Sequence, residues 1–166
     1  MKKAFYLGET INIIAWANQL TEEKVNALPI KVRWALKKAT SKIAPDVKEF
    51  EEFRSKLVQD LQDEYFNSDE KSADVVRDVV DENGDPMFDE TGAAVTETLR
   101  QVKEEYMDEF NAKVAEINEK LAEVASERNE YDITGIDMDA FVDSLPDDTP
   151  LEFRDIEMLN FISEDE

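Results

Sequence analysis

The feature that most constrains this chain is a stripe of apolar side chains between Glu97 and Ala125. Leu99, Val102, Tyr106, Phe110, Val114, Ile117, Leu121 and Val124 recur at steps of three and four residues, which sets them on one face of an α-helix. No Gly or Pro interrupts the run. Its other faces carry Glu97, Arg100, Glu104, Glu105, Asp108, Glu109, Lys113, Glu116, Glu119, Lys120 and Glu123. The pattern predicts a helix roughly 43 Å long, with a wetted exterior and a seam that needs a partner.

The partner is a second stripe, Val47, Phe50, Phe53 or Arg54, Leu57, Leu61 and Tyr65. Pro45-Asp46 opens this helix, with Asp46, Glu49, Glu51 and Glu52 in its first turns where the macrodipole favours anions. Ala44-Pro45 is expected to end the preceding helix, Ile30–Ala44. The two long helices then pack antiparallel as an αα-hairpin.

Between them lies an excursion, residues 67–96. Its Asp74–Val80 run is rich in β-branched residues, and Asp81-Glu82-Asn83-Gly84-Asp85-Pro86 and Asp89-Glu90-Thr91-Gly92 are turn formers. Asn83-Gly84 is a strong hairpin signal, so a small meander of two or three strands is expected to project from the helical hairpin and end near Ala93–Val95. The acidic loops do not fit a calcium-binding EF-hand. Counted from Asp81, glycine falls at the fourth position and Gly92 stands where a glutamate is needed.

At the N-terminus, Lys3–Leu7 reads as an edge strand or extended lead-in, and Thr10 caps a helix to Gln19 whose face is Ile11, Ile14, Ala15 and Asn18, with Ile13 and Trp16 beside it. Thr21–Lys24 forms a single turn, and Pro29 suits the first turn of the next helix. Beyond Ala125, Tyr131–Ile136 reads as a strand that adds to Lys3–Leu7. Asp137 or Asp139 caps a short turn carrying Phe141, Pro146 stops it, and a last helix runs from Thr149-Pro150 through Phe153, Ile156, Leu159 and Ile162. Ser163–Glu166 is expected to fray. The whole is a mainly α, α+β fold in a single domain, 1–166: N-terminal helices in 1–66, the acidic meander in 67–96, the long helix in 97–127, and a strand and C-terminal helix in 128–166.

With no cysteine and no histidine, the chain has no disulfide framework, thiolate or imidazole zinc site, or Ser-His-Asp triad. A P-loop and the G-x-G-x-x-G and G-x-S-x-G patterns are also missing, and only four glycines are available to build a phosphate cradle. Carboxylate pairs abound because there are 41 Asp and Glu, but none sits in an apolar surround that would tune it for acid-base work. Asp137-x-Asp139 and Asp147-Asp148 are the best hard-cation candidates, and a solvated acidic loop accounts for both. The reading is therefore no enzyme, no cofactor and no metal. No apolar run is long enough to span a membrane, and no secretory leader is visible, so a soluble cytoplasmic protein is expected.

Charge is segregated. Residues 1–60 hold 11 Lys or Arg against 8 Asp or Glu, a net of +3, whereas residues 61–166 hold 8 against 33, a net of −25. The basic patch at Lys31, Arg33, Lys37, Lys38 and Lys42 lacks the aromatic and glycine partners of a nucleic-acid site, and the rest of the chain repels nucleic acid and anionic membranes.

Leu7-Gly8-Glu9 with Ile11-Asn12-Ile13, Leu28-Pro29-Ile30-Lys31, Ala35-Leu36-Lys37-Lys38 and Phe50–Leu57 make a pattern along nearly the whole chain. With the Asp-Glu-Asn-Gly turn, Glu109-Phe110-Asn111, Tyr131–Ile136 and Leu151–Ile162, it resembles a family of small bacteriophage proteins of unknown function. The resemblance implies a phage origin and assigns no catalytic residue.

Two functions of different class fit. In the first, the chain binds a basic host protein as a nucleic-acid mimic that inhibits a nucleic-acid-handling or defence system. Duplex DNA carries a charge about every 1.7 Å, a density that Glu104, Glu105, Asp108, Glu109, Glu116 and Glu119 with Asp81, Asp85, Asp89 and Glu90 could match. In the second, it is a virion structural or assembly protein that packs on phage components or on copies of itself. That role predicts an apolar patch outside the core involving Trp16, Trp34 or Phe161.

Overall fold

The computed structural model describes residues 1–164, and Asp165 and Glu166 lie outside them. The fold is α+β, with one long helix and two small antiparallel sheets. Its contacts group into two compact units, Met1–Phe53 with the chain from Leu121 onward, and Arg54–Lys120.

The first unit is built on the early turns of a helix, α3 (Ile30–Leu61), and not on the segment after Glu97. Val32, Ala35, Leu36, Ala39, Ile43, Val47 and Phe50 are buried along one stripe of α3, which passes Pro45 without a break. Proline removes one N–H and costs about 3 kcal/mol inside a helix. Here the buried residues on either side keep one phase, so stopping at Ala44 would take Val47 and Phe50 out of the stripe, and burial outweighs that cost.

Strand β1 (Lys2–Tyr6) leads directly into α1 (Leu7–Gln19), whose start is fixed by Glu9 accepting the Tyr6 N–H at 2.8 Å. Thr10 is therefore no cap. It is fully buried with its hydroxyl on the Leu7 carbonyl, and the inward face is centred on Leu7, Thr10, Ile13 and Trp16, with the expected Ile11 and Ile14 half-buried at its flanks and Ala15 and Asn18 exposed. A short α2 (Glu22–Ala27) follows, capped by Thr21.

Strand β4 (Arg128–Asp132) pairs antiparallel with β1, Ala4 opposite Glu130, so the expected pairing holds, but β4 both starts and ends earlier than the expected Tyr131–Ile136 and shares only Tyr131 and Asp132 with it. Asp137 caps α5 (Met138–Asp143), and α6 (Phe153–Leu159) runs into a 3-10 turn at Asn160–Ile162. Phe141, Leu159, Phe161 and Ile162 join Ile13, Trp16, Ile43 and Ile133 in one core. Ser163 does not fray: it is buried and bridges Ile136.

In the second unit the long helix is shorter than expected. Residues 96–102 form a strand, β3 (Thr96–Val102), paired with β2 (Ser72–Asp78) so that Leu99 faces Val75 and Val102 faces Ser72. Only α4 (Glu104–Ala125) is helical. Leu99 and Val102 happen to keep the helical phase of the stripe, but the ladder to β2 and the Glu97–Arg77 ion pair at 2.6 Å hold this piece extended. The end of α3 widens into a π-helical turn, Gln62–Phe66, where Tyr65 and Phe66 meet Phe110 edge-on at 5.3 and 5.7 Å. Glu64 lies 3.5 Å from Lys113, and Leu57 and Leu61 share a groove with Ile117, so this stretch runs antiparallel to α4 as expected. The seam is half-wet, and no α4 residue is fully buried.

Candidate functional site

Residues 78–97 do not form a simple meander. Asp81–Asp85 and Asp89–Ala93 are two turns of the same construction, eight residues apart. The Asp81 carboxylate accepts the N–H of Asn83 and of Asp85 at 2.8 and 3.0 Å, and the Asp89 carboxylate accepts those of Thr91 and Ala93 at the same two distances. Gly84 and Gly92 donate to the carbonyls of Asp81 and Asp89 at φ of +87 and +81, a backbone that side-chain-bearing residues resist. Val80 bridges Pro86 at the foot of the first turn and Phe88 bridges Ala94 at the foot of the second. Turn chemistry thus employs the acidic loops.

These two hairpins and β2–β3 meet in a closed ring of backbone bonds. Val79 N–H donates to the Val95 carbonyl at 2.8 Å, Val95 N–H to Met87 at 2.9 Å, and Met87 N–H to Val79 at 2.8 Å. The three residues stand eight apart, so the junction repeats one eight-residue unit with a pseudo-threefold arrangement. The Thr91 hydroxyl, then the Ala93 and Thr91 amides, hold the Asp89 carboxyl below the usual carboxylate range.

The junction is tied by its own backbone bonds, half-buries Val79 and Val95, and leaves most of its other side chains in water. Val76, Val80, Met87 and Phe88 are exposed, Phe88 by 63%. Around them residues 78–97 carry seven carboxylates and no Lys or Arg. The flanking cations are taken: Arg77 by Glu97, and Arg100 by Asp69 at 2.5 Å, Asp74 at 3.3 Å and the Phe66 carbonyl.

On α4, Glu104, Glu105, Asp108, Glu109, Glu116 and Glu119 share an arc of about 140° opposite the apolar stripe. Two of them are engaged. Glu109 accepts the Tyr65 hydroxyl at 2.7 Å and lies 3.3 Å from Lys71, which also holds Glu64, so its carboxyl sits below the ordinary value, the Tyr65 hydroxyl being the main cause. Burial, then Glu109, pushes the Tyr65 phenol up to about 12. Glu116 pairs with Lys120 at 2.8 Å, which lowers its carboxyl too. Of the ten anticipated residues, Asp81 and Asp89 are committed to their own turns and Glu109 and Glu116 to ion pairs. The side chains of Asp85, Glu90, Glu104, Glu105, Asp108 and Glu119 make no hydrogen bond or ion pair among the described residues.

The first unit uses its buried polar groups to hold elements together. Asp155 accepts the Trp16 indole N–H at 2.9 Å and lies 2.8 Å from Lys24, linking α6 to α1 and α2. Burial drives the Asp155 carboxyl up, but Lys24, Trp16 and the Glu152 amide outweigh it and hold it below the usual range. Tyr131 donates to Asp46 at 2.5 Å, and burial first, then Asp46, pushes its phenol to about 12. The Asp137 carboxylate caps Ala140 N–H at 2.9 Å. Among the described residues no group of three or more Asp or Glu could hold a metal ion, and no helix is long and apolar enough to cross a membrane.

No family of known proteins, no curated protein and no solved structure matches this chain.

Of the aromatic residues anticipated in a surface patch, Trp16 and Phe161 belong to the core, at 4% and 7% exposure, whereas Trp34 is 56% exposed. The sequence reading passed over the exposed apolar set Val76, Val80, Met87 and Phe88 as part of a meander. Its signal is the recurrence of Asp-Glu-x-Gly at eight-residue spacing, with an apolar residue before each aspartate.

Proposed function

We propose that this chain is a non-enzymatic interaction protein that works through the hairpin junction, docking Val76, Val80, Met87 and Phe88 with their surrounding carboxylates onto a basic and apolar partner. The observation that carries this reading is the exposure of that apolar set on a backbone held by the three-bond ring and the two aspartate-capped turns. A solubilising surface needs the charge but has no use for Phe88 in water. Assembly is the better supported of the two anticipated roles, in the phage setting that the resemblance implies, because it called for apolar surface outside the core. Nucleic-acid mimicry of a host target keeps support from Glu104, Glu105, Asp108 and Glu119 on one arc of α4. It is weakened by Glu109 and Glu116, which are held by Lys71 and Lys120.

The test is retention on immobilised chain. The wild type is expected to hold proteins from a lysate of producing cells that elute as salt rises. The Met87→Asp/Phe88→Asp variant, which adds charge, is expected to lose them. Equal retention by the two chains removes the junction from the reading, and loss only on charge reversal at Glu104, Glu105 and Asp108 moves the function to mimicry by α4.

A further inference from the structure

The junction has a chemical complement within the same sequence. Residues 24–45 contain six Lys or Arg and no Asp or Glu, the reverse of residues 78–97 with seven acids and no base. In this stretch the opening turns of α3 leave Ile30 and Trp34 in water, at 77% and 56% exposure. Lys37 and Lys38 hold their ammonium groups 5.9 and 5.3 Å from the Trp34 ring centroid. Neither they nor Lys31 has a carboxylate partner among the described residues, whereas Lys24 and Lys42 are tied to Asp155 and Asp132. Arg33, between Ile30 and Trp34, keeps its Nε buried with no acceptor. An unmet buried donor beside an exposed indole and three open ammonium groups calls for a ligand that brings both apolar surface and oxygen anions.

We propose that the occupant is a second copy of this chain: the hairpin junction of one molecule seats on the Ile30–Trp34 face of the next. This rests on the reading of the junction as a contact surface and names its partner. Val80 and Phe88, which hold equivalent positions at the feet of the two turns, meet Ile30 and Trp34, while Asp85, Asp89 and Glu90 face Lys31, Arg33, Lys37 and Lys38. Opposite potentials bring the two together and set their register, and apolar burial holds them. The contact uses different surfaces on the two molecules, so it leaves a face free at one end and a junction free at the other. Such a head-to-tail contact grows until it closes into a ring or continues as a filament.

Sedimentation velocity on the purified full chain tests this. Over about a hundredfold range of concentration the wild-type mass is expected to rise beyond a dimer, and raising salt from about 0.05 to 0.5 M is expected to weaken association about tenfold. Trp34→Asp removes the face and Phe88→Arg the junction, both at exposed positions, and each variant alone is expected to stay monomeric. Mixed in equal amounts they are expected to form a heterodimer and nothing larger, because one intact junction and one intact face remain. If circular dichroism shows that Trp34→Asp fails to fold, Lys37→Glu/Lys38→Glu takes its place.

A wild type that stays monomeric, self-association that either variant leaves intact, or a mixture that stays monomeric overturns the proposal. A monomeric wild type whose lysate partners still depend on Met87 and Phe88 overturns this inference and leaves the reading of the junction standing. Lysate retention indifferent to those two residues takes that reading with it.

Discussion

The two units solve opposite problems with the same backbone chemistry. Around α3 the chain buries Ile43, Leu159 and Ile162 completely and then spends polar residues such as Asp155 to lock helices to each other. In residues 54–120, Tyr65, Ser72 and Val102 are the described residues that reach burial, and order comes from hydrogen bonds: a ladder, two aspartate-capped turns and the three-bond ring. Where apolar burial supplies the stability, side chains are replaceable only by similar shapes. Where backbone bonds supply it, exposed side chains are free to serve a partner.

The comparison should break most visibly in the first unit. Phe141→Ala is expected to cost about 4 kcal/mol, through lost burial and the cavity left behind, read as a lowered urea midpoint. Asp155→Ala is expected to cost about 2 kcal/mol, since it leaves the Trp16 N–H without its acceptor, while Lys24 keeps Glu152 at 3.3 Å. Its sign with pH follows from the lowered carboxyl. The Asp155 contribution is complete above the ordinary carboxylate range and is lost as pH falls through the depressed native value, so the wild type should show an acid-side decline that the variant lacks.

In the second unit the effects shrink. Tyr65→Phe removes a hydrogen bond to a charged acceptor and is expected to cost about 1.5 kcal/mol. The wild-type phenols of Tyr65 and Tyr131 should ionise near 12 and not near 10, and their contributions, present below 10, should fade as pH rises through 12, as followed by tyrosinate absorbance. Gly84→Ala strains a left-handed turn by about 1 kcal/mol, and faster amide exchange at Asn83–Asp85 with the urea midpoint unchanged would confirm that the cost is local. Phe88→Ala should change stability by under about 0.5 kcal/mol, and a larger loss would show that Phe88 supports the fold.

Sequence reading reached the local signals and missed those settled by tertiary partners. The cap at Asp137, one of the two aspartates offered, the β1–β4 pairing and the antiparallel run of α3 past α4 were legible because each is written within a few residues or in one stripe, whereas Thr21–Lys24 was read as a single turn and is the capped start of α2. Pro45 was misjudged because its local cost is plain and the burial that overrides it is spread over seven side chains. Residues 97–102 were misjudged because Leu99 and Val102 satisfy a helical period, while their strand partners lie more than twenty residues upstream. Thr10 deceived by its type: a threonine near a helix start reads as a cap, and here it fills the core. At the candidate site, the ten carboxylates were visible as charge, but which of them are spent on Lys71, Lys120 or their own turns depends on contacts that no spacing rule reports.

The ring at Val79, Met87 and Val95 has a consequence for how this protein can change. Each of the two hairpins leaves the ring and returns to it, so its outer loop can be lengthened or exchanged for another with the same closing pair without disturbing the other hairpin or β2–β3. Residues 78–97 are in that sense a socket with interchangeable fittings, able to take new recognition loops while the α3 core stays as it is.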